Sequence, residues 1–233
     1  MQAEDFKTGQ ILFIDKPLNW TSFQVVNKIR WAIRQKFHLK KIKVGHAGTL
    51  DPLATGLLVI CTGKFTKKIN EFQSASKEYT GTITLGATTP SFDLETEIDQ
   101  TFPTDHISSF AIHEAAASFL GKIQQKPPLY SAIKKDGVRL YEIARKGENT
   151  EINSREIEVF SFDITQIEMP AISFKILCSK GTYIRSIAND FGKMLDSGAH
   201  LSELRRTKSG EFDLNGALTP EEFIESLKKT DLL

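Results

Sequence analysis

The sequence predicts an α+β fold with antiparallel strand pairs, and three observations lead there. Strand-like and helix-like segments intermix without a regular βαβ repeat. Two alternating runs, 156–167 and 171–179, are separated by a short break at Met169-Pro170, as in an antiparallel pair. No internal repeat or low-complexity linker interrupts the 233 residues. Residues 1–233 are therefore expected to form a single domain.

Taken in order, residues 10–15 read as a first strand, closed by Lys16-Pro17 and a turn at Asn19. Ser22 is the expected N-cap of a helix over 22–37, with Phe23, Val26, Ile33 and Phe37 inward and its Lys and Arg residues outward. Residues 57–62 form a short apolar run of buried-strand length, and 65–72 suggest a helix. From 78 to 85 the chain alternates, with Tyr79, Gly81, Ile83 and Leu85 on one face and three threonines on the other. That is a half-exposed strand. Residues 87–105 show no periodicity and read as a long surface loop. A helix over 107–120 ends at Gly121. Pro127-Pro128 break the chain before a strand over 130–134, and 138–146 continue as a short helix. After the antiparallel pair, Thr182 is the expected cap of a helix over 183–195, with Ile184, Ile187, Phe191 and Leu195 inward. A last strand over 201–206 and a last helix over 220–228 complete the reading.

Hydrophobic and charged fractions of 40% and 25% are those of an ordinary globular protein. The apolar runs are too short to cross a bilayer, and the polar, acidic N-terminus carries no secretory pattern. Cys61 and Cys178 lie far apart in apolar stretches, without CxxC spacing, and are expected to be buried free thiols in a reducing cytoplasm. His113-Glu114 begins an HExxH look-alike, but Ala117 stands where the second histidine is needed, so no zinc site is expected. Net charge is +1, yet its distribution is uneven. Lys28, Arg30, Arg34, Lys36, Lys40, Lys41 and Lys43 stand in a segment without acids. Such a face suits phosphate contacts, and equally suits a solvated helix.

The stretch from Gly45 to Gly63, GHAGTLDPLATGLLVICTG, concentrates the chemistry. Turn residues surround one carboxylate, Asp51, at the lip of a buried strand. Glycines let backbone approach a ligand closely, and a strand holds the loop still. An Asp before Pro is also a common turn former. Walker spacing fails here, and Gly45-His46-Ala47-Gly48 lacks the third glycine of a dinucleotide fingerprint. Its GxxG is compatible with the clamp of a KH domain.

VGHAGTLDPLATGLL resembles the active-site signature of the tRNA pseudouridine-55 synthase family (TruB). Lys77-Glu78-Tyr79, PPLYSAIKKDGVRLYEIAR from position 127, SKGTYIRSIANDFG from position 179 and IDKP from position 14 agree with it in order. The resemblance spans nearly the whole chain. It implies a mixed, largely antiparallel central sheet flanked by helices, with a cleft across the middle. Many family members carry a further C-terminal RNA-binding module (PUA), and fewer than about thirty residues follow Arg206, too few for one on common domain sizes. Family members tend to be aspartate-rich around 87–105, where this chain reads ATTPSFDLETEID, so RNA contacts there do not carry over.

The implied reaction breaks the N-glycosidic bond of uridine and rejoins the uracil through C5, without redox change, cofactor or metal. A carboxylate can serve as nucleophile if it is ionised and oriented. The resemblance gives that role to Asp51 and pairs it with Arg185, whose guanidinium would favour the ionised form. Tyr79 would stack on the uracil and is the candidate for C5 proton transfer. His46 would help hold the flipped-out RNA, Lys16 would lie near the site, and Tyr183 and Leu204 would wall the pocket. Unstacking the base costs a few kcal/mol, which stacking on an aromatic partly offsets. The implied partner is the T-stem-loop of tRNA, bound by a cytoplasmic monomer. An RNA-binding module without catalysis and a base-modifying enzyme acting on another RNA are the competing readings.

Overall fold

The computed structural model describes residues 2–135, 137–148 and 150–229. In chain order come α1 (Ala3–Thr8), β1 (Ile11–Lys16), α2 (Ser22–Lys36), β2 (Val44–His46) and β3 (Ala54–Thr62). A 3-10 turn (Gly63–Lys68), α3 (Ile69–Ser74), β4 (Lys77–Leu85), β5 (Ala87–Thr88), β6 (Gln100–Thr101) and α4 (Ser109–Ser118) follow. Next are β7 (Gly121–Gln125), β8 (Lys134–Lys135), β9 (Val138–Arg139), α5 (Leu140–Arg145) and β10 (Arg155–Glu168). The remaining elements are β11 (Ala171–Cys178), α6 (Ile184–Met194), β12 (Ala199–Ser209), β13 (Phe212–Asp213) and α7 (Pro220–Lys229). Among the described residues the fold is α+β, with a large, mostly antiparallel sheet flanked by helices. The chain divides into two compact units: Met1–Tyr79 with Arg205–Leu233, and Thr80–Leu204.

In the first unit β3 is the central strand. β1 runs antiparallel to it, with Ile11 opposite Cys61 and Lys16 opposite Gly56, and β2 pairs with it through Val44 to His46. Leu58 and Ile60 of β3 pack with Phe6, Val26, Ile33 and Phe223. Leu57 and Val59 face the other way, joining Ala47 beneath Phe13, Phe72 and Phe212. A strand covered on both faces reads as an unbroken apolar run, which is why 57–62 was legible.

Helix α2 departs from its expected cap by one residue. Thr21 accepts from the Gln24 N–H at 3.1 Å, and Gln24 accepts in return from the Thr21 N–H at 2.7 Å. This capping box starts the helix at Ser22. The buried stripe is then Ser22, Val25, Val26, Ile29, Ala32 and Ile33. Phe23, expected inward, is one residue off this stripe and 64% exposed.

In the second unit the antiparallel pair forms as expected, with Val159 opposite Cys178 and Glu168 opposite Ala171. β7 adds to the other edge of β10, Gly121 facing Val159. The strand thus precedes the double proline, whereas the sequence reading set it after. Pro127 and Pro128 have no N–H for a ladder, and residues 129–132 bend. Phe119, Phe162, Phe174 and Phe191 cluster with ring centroids 5.8–6.4 Å apart. Ile184, Ile187, Phe191 and Leu195 are all buried, as the helical spacing of α6 requires. Its N-cap is Tyr183 rather than Thr182; the Thr182 hydroxyl donates instead to the Ser179 carbonyl at 2.9 Å.

The segment 87–105 is not a surface loop throughout. Thr89, Ser91 and Asp93 are buried. The Thr89 and Ser91 hydroxyls donate to the Asp93 carbonyl at 2.6 and 3.1 Å, and the Ser91 and Thr96 hydroxyls lie 2.8 Å apart. Short polar side chains that bond the nearby backbone fold such a segment without any apolar period.

Candidate active site

The loop carrying Asp51 joins β2 to β3 inside the first unit. It is held at several points. The Ala47 N–H donates to the Val59 carbonyl at 2.8 Å, and the Ala54 N–H donates to the Asp51 carbonyl at 3.1 Å. The Asn19 N–H reaches the Pro52 carbonyl at 2.9 Å. The Ser22 hydroxyl accepts from the Leu50 N–H at 2.8 Å and donates to the Leu50 carbonyl at 3.0 Å. Gly48 turns the chain at φ +109°, a backbone conformation that side chains disfavour. The Asp51 side chain is half-buried.

Two buried cations support this loop. Lys16 is wholly inaccessible, and its ammonium donates to the carbonyls of Pro17, Trp20 and Pro52 at 2.9, 2.6 and 3.3 Å. An ammonium has three donors, so Lys16 acts as a strut and has none left for RNA. Burial pushes its pKa down to about 8, Asp51 opposes that fall, and Arg206 adds to it. Arg206, on β12, is 1% exposed. Its Nε donates to the Leu57 carbonyl at 2.7 Å and its Nη2 to the Gly48 carbonyl at 3.0 Å. Burial first, then the Arg206 charge, lower the pKa of His46 below its usual value, with the Gly48 backbone opposing them. The imidazole is therefore neutral at pH 7.

β4 contributes the other expected group of this unit. Tyr79 is 9% exposed. Beside it in sequence, the buried Lys77 donates to the carbonyls of Phe72, Gln73 and Ala75, satisfying the end of α3. Glu78 accepts from the Thr207 hydroxyl at 2.8 Å.

Arg185 belongs to the second unit, in the first turn of α6, and is 3% exposed. Its Nη1 donates to the Ser91 carbonyl at 3.1 Å and its Nη2 to the Tyr130 carbonyl at 2.9 Å. Its Nε lies 3.5 Å from the Asp93 carboxylate, both side chains being buried. The guanidinium is thus held in a fixed plane by the folded 89–96 segment. Tyr183 stands next to it, ring centroid 6.0 Å from the Arg185 guanidinium and 4.7 Å from that of Arg155. The Gln125 side chain pins Tyr183 through both its N–H and its carbonyl, at 2.8 and 3.0 Å. Leu204 is half-buried at the last position of this unit.

Of the expected residues, Lys16 and His46 gather at the Asp51 loop, and Tyr183 stands beside Arg185. Arg206 and Asp93 were not foreseen. For Arg206 a signal existed: in the Arg205-Arg206 pair, strand alternation sends one of two successive side chains to the covered face. Arg205 takes the other face and grips Asp15 through two bonds of 3.0 and 2.6 Å. Asp93 had no such signal. Among the described residues no group of three or more His, Cys, Asp or Glu could hold a metal ion.

Residues 34–184 match the N-terminal domain of TruB family pseudouridylate synthases, and 185–231 match the C-terminal domain of tRNA pseudouridylate synthase B. The chain is 62% identical to tRNA pseudouridine synthase B of Flavobacterium johnsoniae over 229 residues, covering 98% of this chain and 100% of the relative. It is 53% identical to the same-named protein of Phocaeicola vulgatus, covering 98% and 97%. A solved Cbf5-Nop10-Gar1 complex contains a chain 29% identical with TM-score 0.74, over 99% of this chain and 58% of that one. An H/ACA RNP bound to a substrate RNA containing 2′-deoxyuridine gives 26% identity and TM-score 0.70, over 98% and 56%. The chain therefore spans somewhat more than half the length of those two structures' chains.

Proposed function

We propose that this chain, which belongs to the TruB family of pseudouridylate synthases, converts the uridine at position 55 of the tRNA T-loop to pseudouridine. Pseudouridylation of tRNA, an isomerisation, is the activity of the family. The T-loop position, the Asp51 nucleophile and the flipped-out base are our additions to it.

In this reading Asp51 attacks the uridine, at the sugar or at the base. The N1–C1′ bond breaks, a C5–C1′ bond forms, the bond to Asp51 is released, and the proton lost from C5 is matched by one gained at N1. Arg185 supplies the guanidinium that favours a charged carboxylate, its plane fixed by Ser91, Asp93 and Tyr130. Tyr79 stacks on the uracil and takes part in moving the C5 proton. His46 holds the extruded nucleotide as a neutral imidazole, while Tyr183 and Leu204 wall the pocket. Lys16 serves from beneath, as support of the loop.

The observation that carries the reading is the number of bonds restraining the Asp51 loop. Its main chain is fixed at residues 47, 48, 50, 52 and 54. A nucleophile held still before the substrate arrives lowers the entropic part of the barrier.

Tritium release from C5-labelled uridine in a tRNA transcript tests it. Wild-type protein releases the label of one T-loop uridine, and Asp51→Asn releases none while retaining the RNA. An Asp51→Asn protein with undiminished release would end the assignment, and release from another position would move the substrate.

A further inference from the structure

We propose that Arg206 is a positioning residue, a buried clamp that fixes both ends of the Asp51 loop and thereby sets the reach of its carboxylate. The proposal rests on the reading that Asp51 reacts.

The two carbonyls that Arg206 engages, Gly48 and Leu57, bracket Asp51 in sequence. One lies on the loop where it leaves β2, the other on β3 where the loop has rejoined the sheet. A single planar group spanning both fixes their separation, and with it the span the loop must bridge. Main-chain packing adds a third attachment. Gly56 adopts φ +97°, and a Cβ there would overlap the Arg206 carbonyl oxygen. The first strand residues after the loop therefore press against the backbone of the same arginine. At Gly48, a Cβ would stand 3.4 Å from Nη1, so the loop backbone closes on the guanidinium from the other side.

The residue type fits this task. Arg presents its donors in a rigid fork, whereas Lys offers a point charge on a flexible stem. At this site Nε and Nη2 point to two carbonyls on different segments, a geometry one ammonium reproduces poorly. Burying a cation is costly, and a stabilising role alone could be met by an apolar side chain of similar volume. The charge also reaches the neighbours of Asp51, since Arg206 disfavours protonation of both Lys16 and His46.

The test uses Arg206→Lys and Arg206→Gln in the full chain, each first checked for folding by circular dichroism. Single-turnover tritium release, T-arm affinity and amide hydrogen exchange are then measured. Expected is a rate loss of about a hundredfold, the size reported for small misplacements of reacting groups. Affinity should stay within about threefold, and exchange at amides 47–57 should rise while β10 and β11 keep their protection. A folded variant with the wild-type rate, or with unchanged exchange at 47–57, overturns the clamp. So does a loss of affinity equal to the loss of rate, or failure of both variants to fold, which would assign Arg206 to stability alone. If wild-type protein itself releases no tritium, the reading of Asp51 has failed, and exchange at 47–57 alone then decides whether Arg206 clamps the loop.

Discussion

The Ser22 hydroxyl bonds both main-chain groups of Leu50, accepting from its N–H at 2.8 Å and donating to its carbonyl at 3.0 Å. A side chain in the first turn of α2 thereby substitutes for a strand partner one residue before Asp51. Ser22→Ala leaves two buried main-chain groups unsatisfied and should cost about 1–3 kcal/mol. Urea unfolding of the purified variant measures this, and a midpoint equal to wild type would refute it.

Lys16 gives a pH signature. Its pKa is about 8 in the folded protein against 10.5 for the free side chain. Below pH 8 both states hold the proton, so the cost of burying the charge is constant. Between 8 and 10.5 the unfolded chain keeps the proton that the folded protein has lost, so stability gained from this group rises with pH. Relative to Lys16→Met, wild type should gain about 2 kcal/mol across that window. Unfolding free energies at pH 7 and pH 10 provide the comparison, and parallel curves would contradict it.

His46 acts on the acid side. Its folded pKa lies below the usual 6.5, so between those two values the unfolded chain binds a proton that the folded protein does not. Stability from this group is full above 6.5 and declines as pH falls through the window. His46→Phe should flatten the wild-type loss of thermal midpoint between pH 7.5 and 5.5. An unchanged slope would count against a buried neutral imidazole.

Arg185 and Asp93 face each other in a buried pair with 3.5 Å between Nε and carboxylate. Replacing the Asp93 carboxylate by an amide withdraws a buried negative charge from the Arg185 guanidinium, which weakens a desolvated ion pair. Asp93→Asn should therefore lower the unfolding midpoint and reduce single-turnover rate more than tRNA affinity. Arg185→Lys should show the same split, because a point charge cannot hold the planar contacts. Filter binding alongside tritium release separates the two quantities; equal losses would remove Arg185 from the chemistry.

The orientation of α2 is checked by a contrast. Phe23→Ala, at an exposed position, should change stability by no more than about 0.5 kcal/mol. Val26→Ala, in the core, should cost about 1–3 kcal/mol.

What the sequence made legible follows from how each element is stabilised. β3 and the β10–β11 pair announce themselves because burial imposes a period, continuous in one and alternating in the others. Helical spacing with Val26 and Ile33 suits Phe23 to the inner face of α2, yet the buried stripe runs through Ser22, Val25, Val26 and Ile29 and leaves Phe23 exposed. Segment 89–96 was missed since its order comes from hydroxyls and carbonyls, which leave no hydrophobic period. The position of Asp51, on a loop just before the buried strand β3, was readable through a long motif. Arg206 and Asp93 work through partners remote in sequence, and an isolated charged residue carries no sign of the carbonyl or guanidinium it will meet.

The turn at Asp51 uses that residue's carbonyl, which accepts from the Ala54 N–H at 3.1 Å. Backbone and side chain are therefore separable duties at one position. Replacing the carboxylate by an amide leaves every main-chain tether of the loop in place. On the proposed role of Asp51, Asp51→Asn would make an inert but correctly shaped decoy, suited to holding an unmodified RNA long enough for it to be captured and sequenced.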